Sequence, residues 1–239
     1  MIKLKKLVLI IAAVLLFRSL LSCGIEEYFY LPQVPDTYIT RIMNTDASII
    51  IPSVPSEFYY FTNYVIYYKI YKGTSRLSDS PLDNYQNFST ELRNDYNALS
   101  SYTDPTNYAY STSIDTVFNT RGYYELFFSG RNNNSMFPQG GTLRITFPTG
   151  GDPPYATLNN ADIILNRNLD AAPAPEDRQF VFSYDLINTE DSNRNTDVTR
   201  ASGEYVCVSM YIVAEGYDSN LWKPIYGKPT HIHFFTFAY

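Results

Sequence analysis

The sequence predicts an almost entirely β protein, built as two sandwich-like units with one short helix. Three observations lead there. The chain of 239 residues carries 23 Tyr and 15 Phe against a single Trp, and such side chains favour the pleated, half-buried surface of a strand. Clusters of Asn, Gly and Pro punctuate the chain as turns do, while long helix-forming tracts of Ala, Glu, Lys and Leu are absent. Finally, two long apolar stretches, Phe58–Tyr71 and Glu204–Glu215, each ended by a glycine, sit mid-to-late in the two halves.

Residues 25–56 alternate short apolar runs with proline, as in Leu31-Pro32, Val34-Pro35 and Ile49-Ile50-Ile51-Pro52. Proline brings no N–H to a ladder, so these runs read as edge strands and bends. Phe58–Tyr71 is the strongest strand of the first half. Tyr64, Ile66, Tyr68 and Ile70 share one face, Val65, Tyr67 and Tyr71 the other, and Lys69 is its only charge. Two apolar faces mark a central strand covered on both sides. Residues 74–88 read as loop. Ser89–Tyr102 is the one credible helix, expected to pack on a sheet edge: Ser89 or Thr90 caps it, Glu91 suits its positive end, and Leu92, Tyr96 and Leu99 share a face. Small strands at Ile114–Phe118 and Gly122–Phe128 close this half, and Gly130–Ser135 has the composition of a linker.

In the second half, Gly141–Phe147 reads as a strand, Thr149–Pro154 as a turn and Ala161–Leu165 as a short strand. Asp170–Arg178 is a Pro/Ala-rich loop, Gln179–Leu186 a strand and Asn188–Arg200 a polar loop. Glu204–Glu215 is the best strand of this half, ended by Gly216, then come the loop Tyr217–Lys228 and the terminal strand Pro229–Tyr239. In size and strand density these halves resemble tandem β-sandwiches of the immunoglobulin or fibronectin type III kind, at about 100 residues each. The resemblance implies domains at 23–130 and 136–239, with a single larger sandwich as the alternative. The Cys…Trp…Cys pattern of true immunoglobulin domains is missing.

Residues 1–22 stand apart from this body. Lys3, Lys5 and Lys6 precede the unbroken apolar run Leu7–Phe17, and Leu20-Leu21-Ser22-Cys23-Gly24 follows. A positive start, an apolar core and a small residue at the end make an export signal. The run is about half of the roughly 20 residues that a bilayer span requires. The Leu-x-small-Cys ending resembles the lipobox of bacterial lipoproteins, and the segment is similar in style to envelope lipoproteins of spirochaetes and other diderms. That resemblance covers residues 1–24. It implies cleavage before Cys23, acylation of that cysteine and anchoring to the cell envelope by lipid. Gly24 stands where an aspartate often marks retention in the inner membrane, so the outer membrane is favoured. The β-forming run Tyr28-Phe29-Tyr30-Leu31 predicts a folded body starting within about ten residues of the lipid.

Removing Lys3, Lys5, Lys6 and Arg18 with the signal leaves 14 Lys+Arg against 24 Asp+Glu. So acidic a chain repels phosphate backbones, which argues against nucleic acid and leaves the lipid as its hold on the membrane. With Cys23 acylated, Cys207 has no partner for a disulfide, and its apolar strand setting predicts a buried, inert thiol. Further candidates are few. His231 and His233 lie two apart on a strand, where both imidazoles would reach one metal if a third ligand joined them; hydrogen-bonded or solvent-facing histidines are the ordinary reading. The Tyr217–Lys228 loop joins Trp222, Tyr226 and Asp218, the mixture of aromatic and polar groups that sugar or protein contacts use; Trp222 plugging the end of a sandwich is the plainer alternative. No nucleophile-elbow, Walker, zinc-protease or calcium-loop pattern is present. The expectation is a protein without enzymatic activity or cofactor. It serves a structural or protein-interaction role, or binds a glycan or host protein at a cell surface.

Overall fold

The computed structural model describes residues 31, 33–43, 47–52, 61–73, 77, 81–102, 114–128, 142–147, 155–163, 165–167, 205–218 and 223–238. They are mostly β-strand, in two antiparallel sheets, with a small helical layer. The first sheet runs β1 (Thr40–Met43), β2 (Ala47–Pro52), β5 (Thr142–Phe147), β6 (Tyr155–Leu158) and β7 (Ala161–Ile163). The second runs β10 (Lys223–Tyr226), β9 (Tyr205–Asp218), β3 (Phe61–Gly73), β4 (Tyr124–Phe128) and β8 (Leu165–Arg167), and β11 (Thr230–Ala238) also pairs with β9. Thus β3 lies along one side of β9, while β10 and β11 share the other, opposite Glu215–Asp218 and Tyr205–Ile212 respectively.

The alternation along β3 sets the layers. Tyr64, Ile66, Tyr68 and Ile70 join Val206, Val208, Met210 and Ile212 of β9 against Ile49, Ile51, Leu143, Ile145 and Phe147 of the first sheet. Val65, Tyr67 and Tyr71 face the opposite way, with Cys207, Tyr211 and Val213. There they meet three helices, α1 (Pro81–Phe88), α2 (Thr90–Ser100) and α3 (Ile114–Asn119). The order is therefore sheet, sheet, helices, and the second sheet is covered on both faces, as the two-faced pattern of β3 requires.

The strand pairing does not follow two tandem sandwiches. β2 pairs with β5, and β3 pairs with β9 over almost its whole length, so both sheets draw strands from either side of residues 131–135. The described strands make one sandwich. The glycine-ended strands that suggest a repeat are instead neighbours in one sheet, long and apolar on both faces because each is central.

Several elements differ from expectation for local reasons. Residues 81–88 form a helix begun by Pro81, whose missing N–H costs nothing in a first turn. Ile114–Asn119 is helical rather than extended, which sets Ile114 and Phe118 on one face, both buried on the sheet. The Tyr217–Lys228 segment contains β10, and β9 continues through Gly216 because Ile225 pairs with it. α2 lies on the sheet face rather than its edge; its cap is as expected, Ser89 accepting from the Leu92 N–H at 3.0 Å. Asn159 and Asn160, at φ 51° and 65°, turn β6 into β7, a left-handed pair that asparagine tolerates. The expected strand Gln179–Leu186 and the loops Thr149–Pro154, Asp170–Arg178 and Asn188–Arg200 lie outside the described residues.

The two sheets are connected at both ends of the strand order. β7 and β8 follow one another in the chain yet belong to different sheets, so the chain changes layer there. At the other end, Gln33 Nε2 donates to Pro229 O at 3.0 Å and Thr230 Oγ1 to Val34 O at 2.6 Å. Arg41 of β1 donates to the carbonyls of His231 and Ile232.

Candidate functional site

The densest buried polar cluster among the described residues lies between β3 and the helices. Strand alternation turns Lys69 toward the helical side, where it is 3% exposed. Glu91 and Asp95, one turn apart on α2, reach the same ammonium with Oε1 at 2.7 Å and Oδ2 at 2.8 Å. The third donor goes to Arg121 O at 2.5 Å. Three protons meet three acceptors, so the amine is satisfied.

Asp95 gathers further donors: Tyr71 Oη at 2.9 Å and Arg121 Nη1 at 3.3 Å. The Tyr71 and Tyr123 hydroxyls share a hydrogen bond of 2.9 Å, and Tyr123 lies 3.4 Å from Ser209 Oγ. Each phenol has one proton. With Tyr71 donating to the carboxylate, Tyr123 supplies the proton of the bond between the phenols. Burial raises both phenols well above their ordinary range, so they remain neutral. The cluster locks the helices onto the sheet, with its charges paired and its hydroxyls in a chain. Its one signal in the sequence is Lys69 itself, a charge inside an otherwise apolar strand.

The histidines do not face each other. A bulge between His231 and His233 shifts the register, so His231 pairs with Tyr211 while His233 pairs with Met210. Tyr211 belongs to the helical side and Met210 to the sandwich core. His231 accordingly packs edge-on against Tyr211 at 4.9 Å and Tyr96 at 5.1 Å between ring centroids, with Phe234 at 4.1 Å. His233 sits edge-on to Phe235 at 4.9 Å, in the other layer. The bulge breaks the simple two-residue alternation on which a shared metal depended. Among the described residues no group of three or more His, Cys, Asp and Glu is placed to hold a metal ion. Burial, then His233 and Arg41, holds the His231 imidazole well below its ordinary pKa. Burial and then Arg41 bring His233 down to about 4.

Of the possible ligand-binding residues, Tyr226 lies in β10, half-buried against the helical-side core. Asp218 ends β9 opposite Lys223, and Trp222 lies outside the described residues. Tyr217, beside this hairpin, is 41% exposed. Cys207 is fully buried and burial pushes its thiol up, which makes it inert as expected. Cys23, the expected acylation site, lies outside the described residues. Leu31 is already in the core at 1% exposure, eight positions after Cys23. Among the described residues no helix is long and apolar enough to cross a membrane. No family model, curated protein or solved structure matches the chain.

Proposed function

We propose that this chain is a non-enzymatic lipoprotein of the cell envelope, held by an acylated Cys23 and serving a structural or protein-interaction role. The observation that carries this reading is the order of residues 1–24: three lysines, the apolar run Leu7–Phe17, and Leu20-Leu21-Ser22-Cys23-Gly24. The burial of Leu31 adds to it. Eight residues reach at most about 28 Å fully extended, so a lipid on Cys23 keeps the sandwich close to a bilayer. Gly24 favours the outer membrane of a diderm bacterium. The test is acyl-label incorporation in cells carrying the wild type or Cys23→Ala. The expected outcome is label and membrane fractionation in the wild type and neither in the variant. Equal labelling of both sinks the reading.

A second reading makes the β9–β10 hairpin a contact site for a glycan or a host protein, through Trp222, Tyr226 and Asp218. The exposed Tyr217 on that hairpin favours it. Binding to a glycan or matrix array that is lost on Trp222→Ala, with the melting curve unchanged, separates it from the first.

A further inference from the structure

The seam between β11 and the helices is closed over one histidine. His231 fills an aromatic slot made by Tyr211 of β9, Tyr96 of α2 and its own strand neighbour Phe234, which in turn stacks on Tyr85 of α1. The bulge that turns it there is fixed from behind by Arg41, whose guanidinium bonds the carbonyls on either side of the Ile232 N–H. Its Nε2 is buried with no hydrogen-bond partner among the described residues. A neutral imidazole fits such a slot; an imidazolium needs an acceptor for each N–H.

The charged and titratable groups of the adjoining elements offer none. On α2, Asp95 is engaged by Lys69, Tyr71 and Arg121, and Glu91 by Lys69. On the β1 side, Arg41 brings a like charge, and Asp36 is paired with it. His233 lies in the opposite layer. Tyr85 and Tyr96 contribute rings, and Tyr211 packs edge-on with a buried hydroxyl that makes no hydrogen bond to the imidazole.

We propose that this slot is an acid-sensitive latch: protonation of His231 ejects its side chain and frees α1 and α2 from β11, while the sandwich beneath stays folded. The opened histidine regains an ordinary pKa of about 6.5, so each pH unit below that raises the population of the open form about tenfold. α1 and α2 are held elsewhere mainly by the Lys69 cluster and a few apolar side chains, which makes a local opening possible without global unfolding.

The test is hydrogen exchange of the full-length chain between about pH 7 and 5, corrected for the intrinsic rate. The expected result is a loss of protection close to tenfold per pH unit in 81–100 and 230–236, which at each pH exchange faster than β2, β5 and the centre of β3, whose own protection falls only with global stability. His231→Phe, which suits an aromatic slot, should abolish that dependence. The proposal is overturned if His231→Phe keeps the wild-type profile in 81–100, or if 81–100 is as well protected as the core strands throughout, so that the helices open only with the whole molecule. If that variant fails to fold, His231→Gln replaces it with the same two outcomes. If neither folds, the wild-type pattern decides: pH-dependent loss in 81–100 at a protection level below that of the core strands supports the latch, and core-level protection or no pH-dependent loss there overturns it.

Discussion

Lys69 sits at 3% exposure in a strand covered on both faces, and its charge is tolerated because α2 delivers two carboxylates and residue 121 a carbonyl. Removing one partner of such a buried pair strands the other, at a cost of roughly 3–5 kcal/mol. Lys69→Met is therefore expected to lower unfolding stability by about that amount, read from urea denaturation. The double variant Lys69→Met/Asp95→Leu should recover much of the loss, since an apolar pair leaves no orphan charge. If the double is as unstable as the sum of the singles, the lock is not a pairwise ionic one. His233 gives the pH dependence. Its folded pKa of about 4 lies below the ordinary 6.5, so the unfolded chain binds the proton more readily. The stability that comes from keeping this imidazole neutral is fully present above about pH 6.5, falls as pH drops, and levels out near pH 4. At about 1.4 kcal/mol per pKa unit the loss is about 3 kcal/mol. His233→Phe in a His231→Phe background should flatten the urea midpoint over that window; an unchanged slope would assign the dependence to other groups.

At the scale of elements, the docking of α1 depends on a close approach at the end of β3. A Cβ on Gly73 would come within 2.8 Å of the Phe88 ring. Gly73→Ala must push that ring away, which costs about 1–3 kcal/mol for overpacking. Gly73→Ala with Phe88→Leu should regain part of it, as measured by thermal melting. An Ala variant as stable as wild type would mean that α1 shifts freely. β3 and α2 were legible in the sequence because their signals are local. The alternation of Tyr64 to Tyr71 names both layers, and Ser89 with Leu92, Tyr96 and Leu99 names a capped amphipathic helix. α3 and β10 were not, because the decision is made elsewhere in the chain. Ile114, Val117 and Phe118 favour a strand on propensity, yet as a helix turn they set Phe118 against the rings of Tyr67, Tyr123 and Tyr211 with Ile114 buried beside it. Pro224 discourages a strand, yet it is tolerated in β10 because that strand pairs on the β9 side. The candidate sites follow the same division: a two-residue spacing placed His231 and His233 on one face, and only the bulge, fixed by Arg41 far away in sequence, set them apart.

For the whole molecule, what matters is which segments need each other. β3 has β4 as a neighbour from its own half, but its long partner is β9, and the first sheet joins β2 to β5 across the same divide. On the face of β3 turned to the first sheet, cover comes in part from Leu143, Ile145 and Phe147 of the second half, and on both faces its neighbours across one edge come from β9. A chain ending at residue 130 would leave β3 with an open edge and a partly uncovered face, the state that pairs with other chains instead. Long-range pairing of this kind also makes partial structures costly, since loop closure is spent before contacts repay it. Residues 23–130 and 136–239 made separately should each lack the near-ultraviolet signal of packed tyrosines and should aggregate. The intact body from residue 23 onward should unfold in one transition seen alike by circular dichroism and tyrosine fluorescence. Two separated transitions, or a folded isolated half, would restore the tandem arrangement and require β2–β5 and β3–β9 to be contacts between domains rather than the ladders of one core.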